Sequence, residues 1–322
     1  MLDLDKLPNN LEIFDSYVKA RAVIDRYNPK QIMVSISGGS DSVIMLHLIH
    51  DISEDIENYV FFDTGLEYQA TKDHLKFLEE KYNIKIKIAK ANKPIPVCCR
   101  KYGQPFLNKQ VSEYMMRLQK HDFKWEDKPF EVLYSKYPNC KMALQWWCNM
   151  RGEKSRFNIS YNKWLKEFII ENPPDFSISN KCCYYAKKTV AAKFEKDNGI
   201  ALTITGVRKS EGGVRASAYR NCFTQNNKNA PDEYRPLFWY KEATKREYEK
   251  HYKTINSECY TKYGLQRTGC AGCPFGRDFE YELKVIEEYE PKLFKAVNKI
   301  FGASYEYTRK YREFCKQKAR KG

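Results

Sequence analysis

The segment Ser37-Gly38-Gly39-Ser40-Asp41-Ser42 concentrates more chemistry than any other stretch of the chain. Its two glycines let a ligand approach the backbone, and its serine hydroxyls add hydrogen-bond donors. A turn of this kind that opens a helix aims backbone N–H groups and the positive helix end at one point, a seat for an anionic phosphate. A serine–glycine turn also caps ordinary strand–helix junctions, but four polar residues packed around two glycines favour the phosphate reading. The second set of reactive residues is made of cysteines. Cys182-Cys183 and Cys270-Ala271-Gly272-Cys273 together offer four soft ligands, enough for a cubane iron–sulfur cluster or tetrahedral zinc. Adjacent cysteines do not fit the usual spacing of structural zinc. A further adjacent pair, Cys98-Cys99, competes for the ligand role.

The phosphate turn needs a strand before it and a helix after it. Gln31-Ile32-Met33-Val34-Ser35-Ile36 reads as a buried strand, and Val43-Ile44-Met45-Leu46-His47-Leu48-Ile49 as the body of a helix. A helix is expected over 8–28, with Leu11, Phe14, Tyr17 and Val18 along one face. A second apolar run, Tyr59-Val60-Phe61-Phe62, ends in Asp63-Thr64-Gly65 and is followed by helical spacing over 67–82. Ile84, Ile86 and Ile88 alternate with lysines as a strand would. Strands alternating with helices predict a parallel α/β sheet with ligands beyond the carboxyl ends of its strands, where Asp63 stands.

From 91 to 176 prolines interrupt the pattern, and aromatic and basic residues interleave (Trp125, Tyr134, Tyr137, Trp146, Trp147, Arg151, Lys154, Arg156, Tyr161, Trp164). This segment reads as a mostly helical insertion, suited either to contacting nucleic acid or to serving as a lid or dimer contact. The α/β pattern resumes with a helix near 184–197 and the strand Ala201-Leu202-Thr203-Ile204-Thr205, followed by Gly206-Val207-Arg208. Helices are expected over 241–253 and 278–318. The domain reading is therefore a core half at 1–90, an insertion at 91–176, a second core half carrying the cysteines at 177–275, and C-terminal helices at 276–322.

Composition bounds these readings. The 322 residues are 42% hydrophobic and 15% aromatic, which fits a folded globular protein. No apolar run reaches the roughly 18 residues that span a bilayer, and the first residues lack the order of a secretory signal, so a cytoplasmic protein without membrane contact is expected. In a reducing compartment eleven cysteines point to metal or redox chemistry instead of disulfides. The net charge of +15, from 56 basic and 41 acidic residues, suits nucleotide or nucleic-acid partners, though a basic enzyme without them is compatible with it.

The cysteine arrangement resembles that of the phosphoadenylyl-sulfate (PAPS)/adenylyl-sulfate reductase family, within the PP-loop ATP pyrophosphatase superfamily of adenine nucleotide alpha hydrolase-like folds. Its iron–sulfur members hold a [4Fe-4S] cluster with a Cys-Cys pair and a distant Cys-x-x-Cys. Lys187 and Lys188 sit about where the family places Arg-Lys. Asp63-Thr64-Gly65, Gly206-Val207-Arg208 with Arg215 downstream, and Arg235-Pro236-Leu237-Phe238-Trp239 agree in order. The resemblance implies a parallel-sheet core with helices on both faces, Cys182, Cys183, Cys270 and Cys273 as cluster ligands, and a nucleotide held by residues 37–42, Asp63, Thr64, Gly65, Gly206, Arg208 and Arg215. Cys98-Cys99 stands farther from the Cys-x-x-Cys than in the family.

Two departures point away from an ordinary sulfonucleotide reductase. The loop resembles the full pattern of ATP pyrophosphatases, in which Asp41 would help hold Mg²⁺ and Ser37, Gly39 and Ser42 would cradle pyrophosphate. Arg208 and Arg215 would offset charge developing on the phosphates, unless they are surface ion pairs. The C-terminus keeps Glu313 and Cys315 but lacks the reductases' Glu-Cys-Gly-Leu-His tail. Cys315 is thus a candidate nucleophile or a residue of an amphipathic last helix. The combination resembles enzymes that thiolate tRNA bases and the DNA phosphorothioation sulfur-transfer enzymes. It implies an adenylating iron–sulfur sulfurtransferase using ATP, with a cysteine desulfurase as sulfur donor and DNA or tRNA as acceptor, and a homodimer as a compatible assembly. A reductase using an adenylyl sulfonucleotide and a thiol reductant, and a nucleic-acid-binding subunit with a structural cluster, are the competing readings.

Overall fold

The computed structural model describes residues 7–212, 218–226 and 230–321. They form two compact units, one of the described residues within 1–92 and 187–270, the other of those within 93–186 and 271–322. The chain thus passes between units after Asn92, Ala186 and Cys270.

The first unit opens with α1 (Leu11–Ile24), whose N-cap Asn10 accepts from the backbone N–H of Glu12 and Ile13. β1 (Ile32–Ile36), α2 (Ser40–Ile52), β2 (Asn58–Asp63), α3 (Gln69–Tyr82) and β3 (Ile86–Lys90) follow. After the second unit's segment the chain returns as a helix over Thr189–Asp197, then β4 (Leu202–Thr205), β5 (Phe223–Thr224), β6 (Asp232–Tyr234) and helices Glu242–Tyr252 and Glu258–Thr261.

The six strands make one sheet in the order β3-β2-β1-β4-β6-β5, parallel except for the pairing of β5 with β6. β1 reads as an unbroken apolar run because a central parallel strand is covered on both faces. Ile32, Val34 and Ile36 face the larger core with α1, α2 and Tyr248 of helix Glu242–Tyr252. Met33 and Val60 face the other side, where Phe194 of helix Thr189–Asp197 covers them. The expected α/β core with helices on both faces is therefore present. β1 lies between β2 and β4, so the order of strand addition reverses there, and ligands of such sheets bind at the carboxyl ends of the strands at this reversal. β5 and β6 are too short to leave a sequence signal.

The second unit is helical, with helices over Ile95–Tyr102, Lys109–Gln119, Phe130–Lys136, Lys141–Trp147, Leu165–Glu171, Lys181–Cys183, Phe279–Tyr289 and Pro291–Lys321. The helical region expected over 278–318 is two helices parted at Glu290, because the residue before a proline is driven out of the helical region. Trp125, Tyr137, Trp146 and Trp147 lie in this unit's core, so these aromatics are unavailable to stack on bases. Arg151, Lys154, Arg156 and Tyr161 stay exposed. Among the described residues no helix is long and apolar enough to cross a membrane.

Candidate active site

The phosphate turn sits at the strand-order reversal, between the end of β1 and the start of α2. Gly38 adopts φ +72°, and a Cβ there would fall 2.7 Å from Cγ2 of Thr71, so both conformation and space require glycine. Gly39 is the N-cap of α2 and offers no side-chain cap to the helix. The loop is held from within. Ser42 Oγ donates to the Gly39 carbonyl at 2.8 Å and accepts from Ser37 N–H at 3.3 Å, while Gly39 N–H donates to Ser37 Oγ at 3.3 Å. Gly206, just past β4, comes so close to α2 that a Cβ would stand 3.1 Å from the Asp41 carbonyl oxygen.

Asp41, in the first turn of α2, is met by two cations. Arg208 Nε lies 3.0 Å and Lys245 Nζ 3.1 Å from the same carboxylate oxygen, Oδ1. The side chains of Arg208 and Lys245 are 9% and 11% exposed, that of Asp41 20%. Neither cation meets Oδ1 in hydrogen-bond alignment, so that buried oxygen accepts no hydrogen bond. Lys245 also donates to Ser40 Oγ, and Arg208 pairs outward with Glu242 at 3.3 Å. The arginine is thus a buried part of the site and not a surface ion pair. Lys245 escaped the sequence reading because nothing marks one lysine among the many of its helix; only tertiary packing brings it to Asp41.

At the end of β2, Asp63 Oδ1 accepts from Gly65 N–H at 2.8 Å, closing an Asx turn. Thr64 donates through N–H and hydroxyl to Glu67 Oε1, at 3.2 and 2.5 Å. Burial pushes the Glu67 carboxyl above its ordinary value of 4.5, against the Thr64 hydrogen bonds and the charge of Lys187, which act to lower it. Cys270 Sγ lies 3.6 Å from the same Thr64 hydroxyl. Every expected nucleotide residue therefore falls in this unit except Arg215, which lies outside the described residues.

The other cysteines belong to the second unit. Cys182 opens a short helix that runs into a π-helical turn over Tyr184–Lys188. Its thiol is hydrogen-bonded to those of Cys183 and Cys99, and Cys273 is close enough to act on it electrostatically. Cys183 acts to lower its pKa, but contact with Cys99 and burial raise it overall. Of the adjacent pair Cys98-Cys99, Cys98 donates to the Lys93 carbonyl at 3.1 Å, whereas Cys99 is the one that meets Cys182. In the Cys-x-x-Cys turn Gly272 has φ +61° and donates its N–H to Glu282 Oε1 at 3.1 Å, and Tyr305 donates to its carbonyl.

Among the described residues no three His, Cys, Asp or Glu side chains converge as a single metal ion would require. A cluster spreads its thiolates more widely, and the thiols of Cys99, Cys182, Cys183 and Cys273 in one neighbourhood suit its soft-ligand chemistry. Asp41 Oδ1, a buried carboxylate oxygen that accepts no hydrogen bond, is of the hard-ligand type that Mg²⁺ prefers. Cys315 lies against the second unit's apolar core, its Sγ 3.7 Å from the Lys163 carbonyl, and burial pushes its thiol up, the opposite of what a nucleophile needs.

A mainly parallel sheet with a glycine-rich turn at its switch point defines an α/β protein of the doubly wound kind. The sequence signature of the phosphoadenosine phosphosulfate reductase domain matches residues 31–275, and the chain belongs to that family. An uncharacterized protein of Methanocaldococcus jannaschii is 28% identical over 310 residues, 90% of this chain; the chain spans 48% of that relative's length. Among solved structures, phosphoadenylyl-sulfate reductase from Candida auris in a phosphate complex is similar at TM-score 0.41 and 12% identity, covering 82% of this chain and 97% of that one. The U34-tRNA thiolase NcsA from Methanococcus maripaludis, with its [4Fe-4S] cluster, is similar at TM-score 0.40 and 13% identity, covering 94% and 79%.

Proposed function

We propose that the chain is an ATP-dependent, adenylating iron–sulfur sulfurtransferase acting on a nucleic acid or nucleotide. The observation that carries this reading is the complete loop at the switch point, where buried Asp41 Oδ1 accepts no hydrogen bond. Such an oxygen suits the Mg²⁺ that accompanies a nucleoside triphosphate. A substrate oxygen attacks the α-phosphorus and pyrophosphate leaves. A sulfur nucleophile from the donor then attacks the carbon or phosphorus that bears the activated oxygen, and AMP departs with that oxygen.

The loop N–H groups and the positive end of α2 hold the leaving pyrophosphate. Arg208 offsets charge developing on the phosphates, and Asp63 with Gly65 shapes the neighbouring turn. The proposed cluster ligands are Cys182, Cys183, Cys270 and Cys273. A bound cluster supplies soft iron sites for sulfur or electrons. The exposed Arg151, Lys154, Arg156 and Tyr161 and the charge of +15 support a polyanionic acceptor.

The test is anaerobic incubation of brown, cluster-loaded protein with Mg²⁺ and either ATP or a sulfonucleotide. AMP and pyrophosphate from ATP support the proposal. No ATP cleavage together with sulfite from the sulfonucleotide establishes the reductase reading instead. Tight, salt-sensitive nucleic-acid binding with no nucleotide turnover establishes a binding subunit.

A further inference from the structure

Lys245 has no role in the chemistry above, yet its placement is costly. Its side chain is only 11% exposed, beside a second buried cation, Arg208, and the half-buried Asp41 carboxylate lies between them. A charge taken from water is retained only where it is compensated. Asp41 is the carboxylate that meets both cations, whereas Glu242 touches Arg208 alone, from outside, and is 57% exposed. Two buried cations share this one carboxylate at the positive end of α2, while the charge of Glu242 is screened by solvent. Asp41 Oδ1 meets neither cation in hydrogen-bond alignment, so it holds them by charge alone. Lys245 is also tied to the loop through Ser40 Oγ.

We propose that Lys245 and Arg208 form a two-cation seat for a phosphate group of the nucleotide, and that Asp41 is the internal counterion occupying this seat until the ligand replaces it. The inference rests on the reading that a nucleotide phosphate docks at the loop. The exchange places an oxyanion between two cations and releases the Asp41 carboxylate toward the metal ion that arrives with the nucleotide. An ion triad that merely pinned helix Glu242–Tyr252 to α2 would make no such exchange.

Calorimetric titration of inorganic pyrophosphate into the full chain, without divalent cations, separates these roles. Lys245→Met is expected to weaken binding by roughly 10- to 100-fold and Lys245→Arg to keep it within about threefold. Asp41→Asn, which removes the competing counterion, is expected to tighten metal-free binding by about threefold or more. Should Lys245→Met fold too poorly to titrate, the double variant Asp41→Asn/Lys245→Met replaces it and is expected to bind pyrophosphate weakly. Wild-type affinity in the folded Lys245→Met or double variant, or unchanged or weaker binding in Asp41→Asn, overturns the inference. Failure of the wild-type chain to bind either pyrophosphate or ATP overturns the nucleotide reading beneath it.

Discussion

Arg208 Nε lies 3.0 Å from Oδ1 of Asp41, joining the residue that follows β4 and Gly206 to the first turn of α2. The contact spans the point where the strand order of the sheet reverses, and both partners are largely buried. Breaking a buried pair leaves an uncompensated charge and typically costs about 3–5 kcal/mol. Here Lys245 still faces Asp41 after Arg208 is removed. Arg208→Gln is therefore expected to cost only about 1–3 kcal/mol in urea denaturation while lowering nucleotide turnover by at least about 100-fold. A folded variant with wild-type turnover would return Arg208 to a purely structural role.

Gly38 is constrained by both conformation and space. Gly38→Ala must place a Cβ 2.7 Å from Thr71 Cγ2 at a positive φ. The expected result is a loss of about 1–3 kcal/mol and weakened ATP binding, because the loop must open to relieve the clash. Unchanged stability and binding in Gly38→Ala would show that the loop does not hold this conformation.

Glu67 makes stability depend on pH with a definite sign. Its folded-state pKa is raised, chiefly by burial, so the native state holds the proton more tightly than the unfolded chain. Its favourable contribution is present below the ordinary carboxyl value of 4.5 and is lost as pH rises through the raised value. Glu67→Gln keeps an acceptor for Thr64 and removes that loss. Urea midpoints should show the variant at least as stable as wild type at pH 7, with its advantage vanishing toward pH 4. A variant equally destabilised at every pH contradicts the burial argument.

For the cysteines, Cys182→Ser and Cys270→Ser are expected to bleach anaerobically purified protein, and Cys98→Ser to stay brown, since Cys98 is engaged with the Lys93 carbonyl. Visible absorbance and iron content check this. Bleaching in Cys98→Ser with colour retained in Cys182→Ser would reverse the ligand assignment, and a colourless wild-type protein with stoichiometric zinc would remove the cluster.

The local patterns were readable from the sequence because each element carries its own signal. The β1–turn–α2 unit has an apolar run, two glycines and an amphipathic helix in continuous sequence, and the alternation of Ile86 and Ile88 with lysines marks β3. What stayed hidden depends on tertiary packing. Lys245 and Glu67 gain their meaning from burial beside residues far away in the chain or across a turn, and the two-residue β5 is defined only by its partner β6. The tryptophans of the insertion mislead for the same reason, because a Trp-rich segment looks alike whether it stacks on bases or, as with Trp146 and Trp147, fills a core.

The central claim is adenylation, and release of pyrophosphate from ATP tests it most directly. The account predicts that the cluster-loaded chain with Mg²⁺ and an acceptor nucleic acid converts ATP to AMP and pyrophosphate in equal amounts, and that Asp41→Ala, still folded, does not. Normal turnover in Asp41→Ala would contradict the role given to that carboxylate, and sulfite production from a sulfonucleotide with no cleavage of ATP would contradict the claim itself.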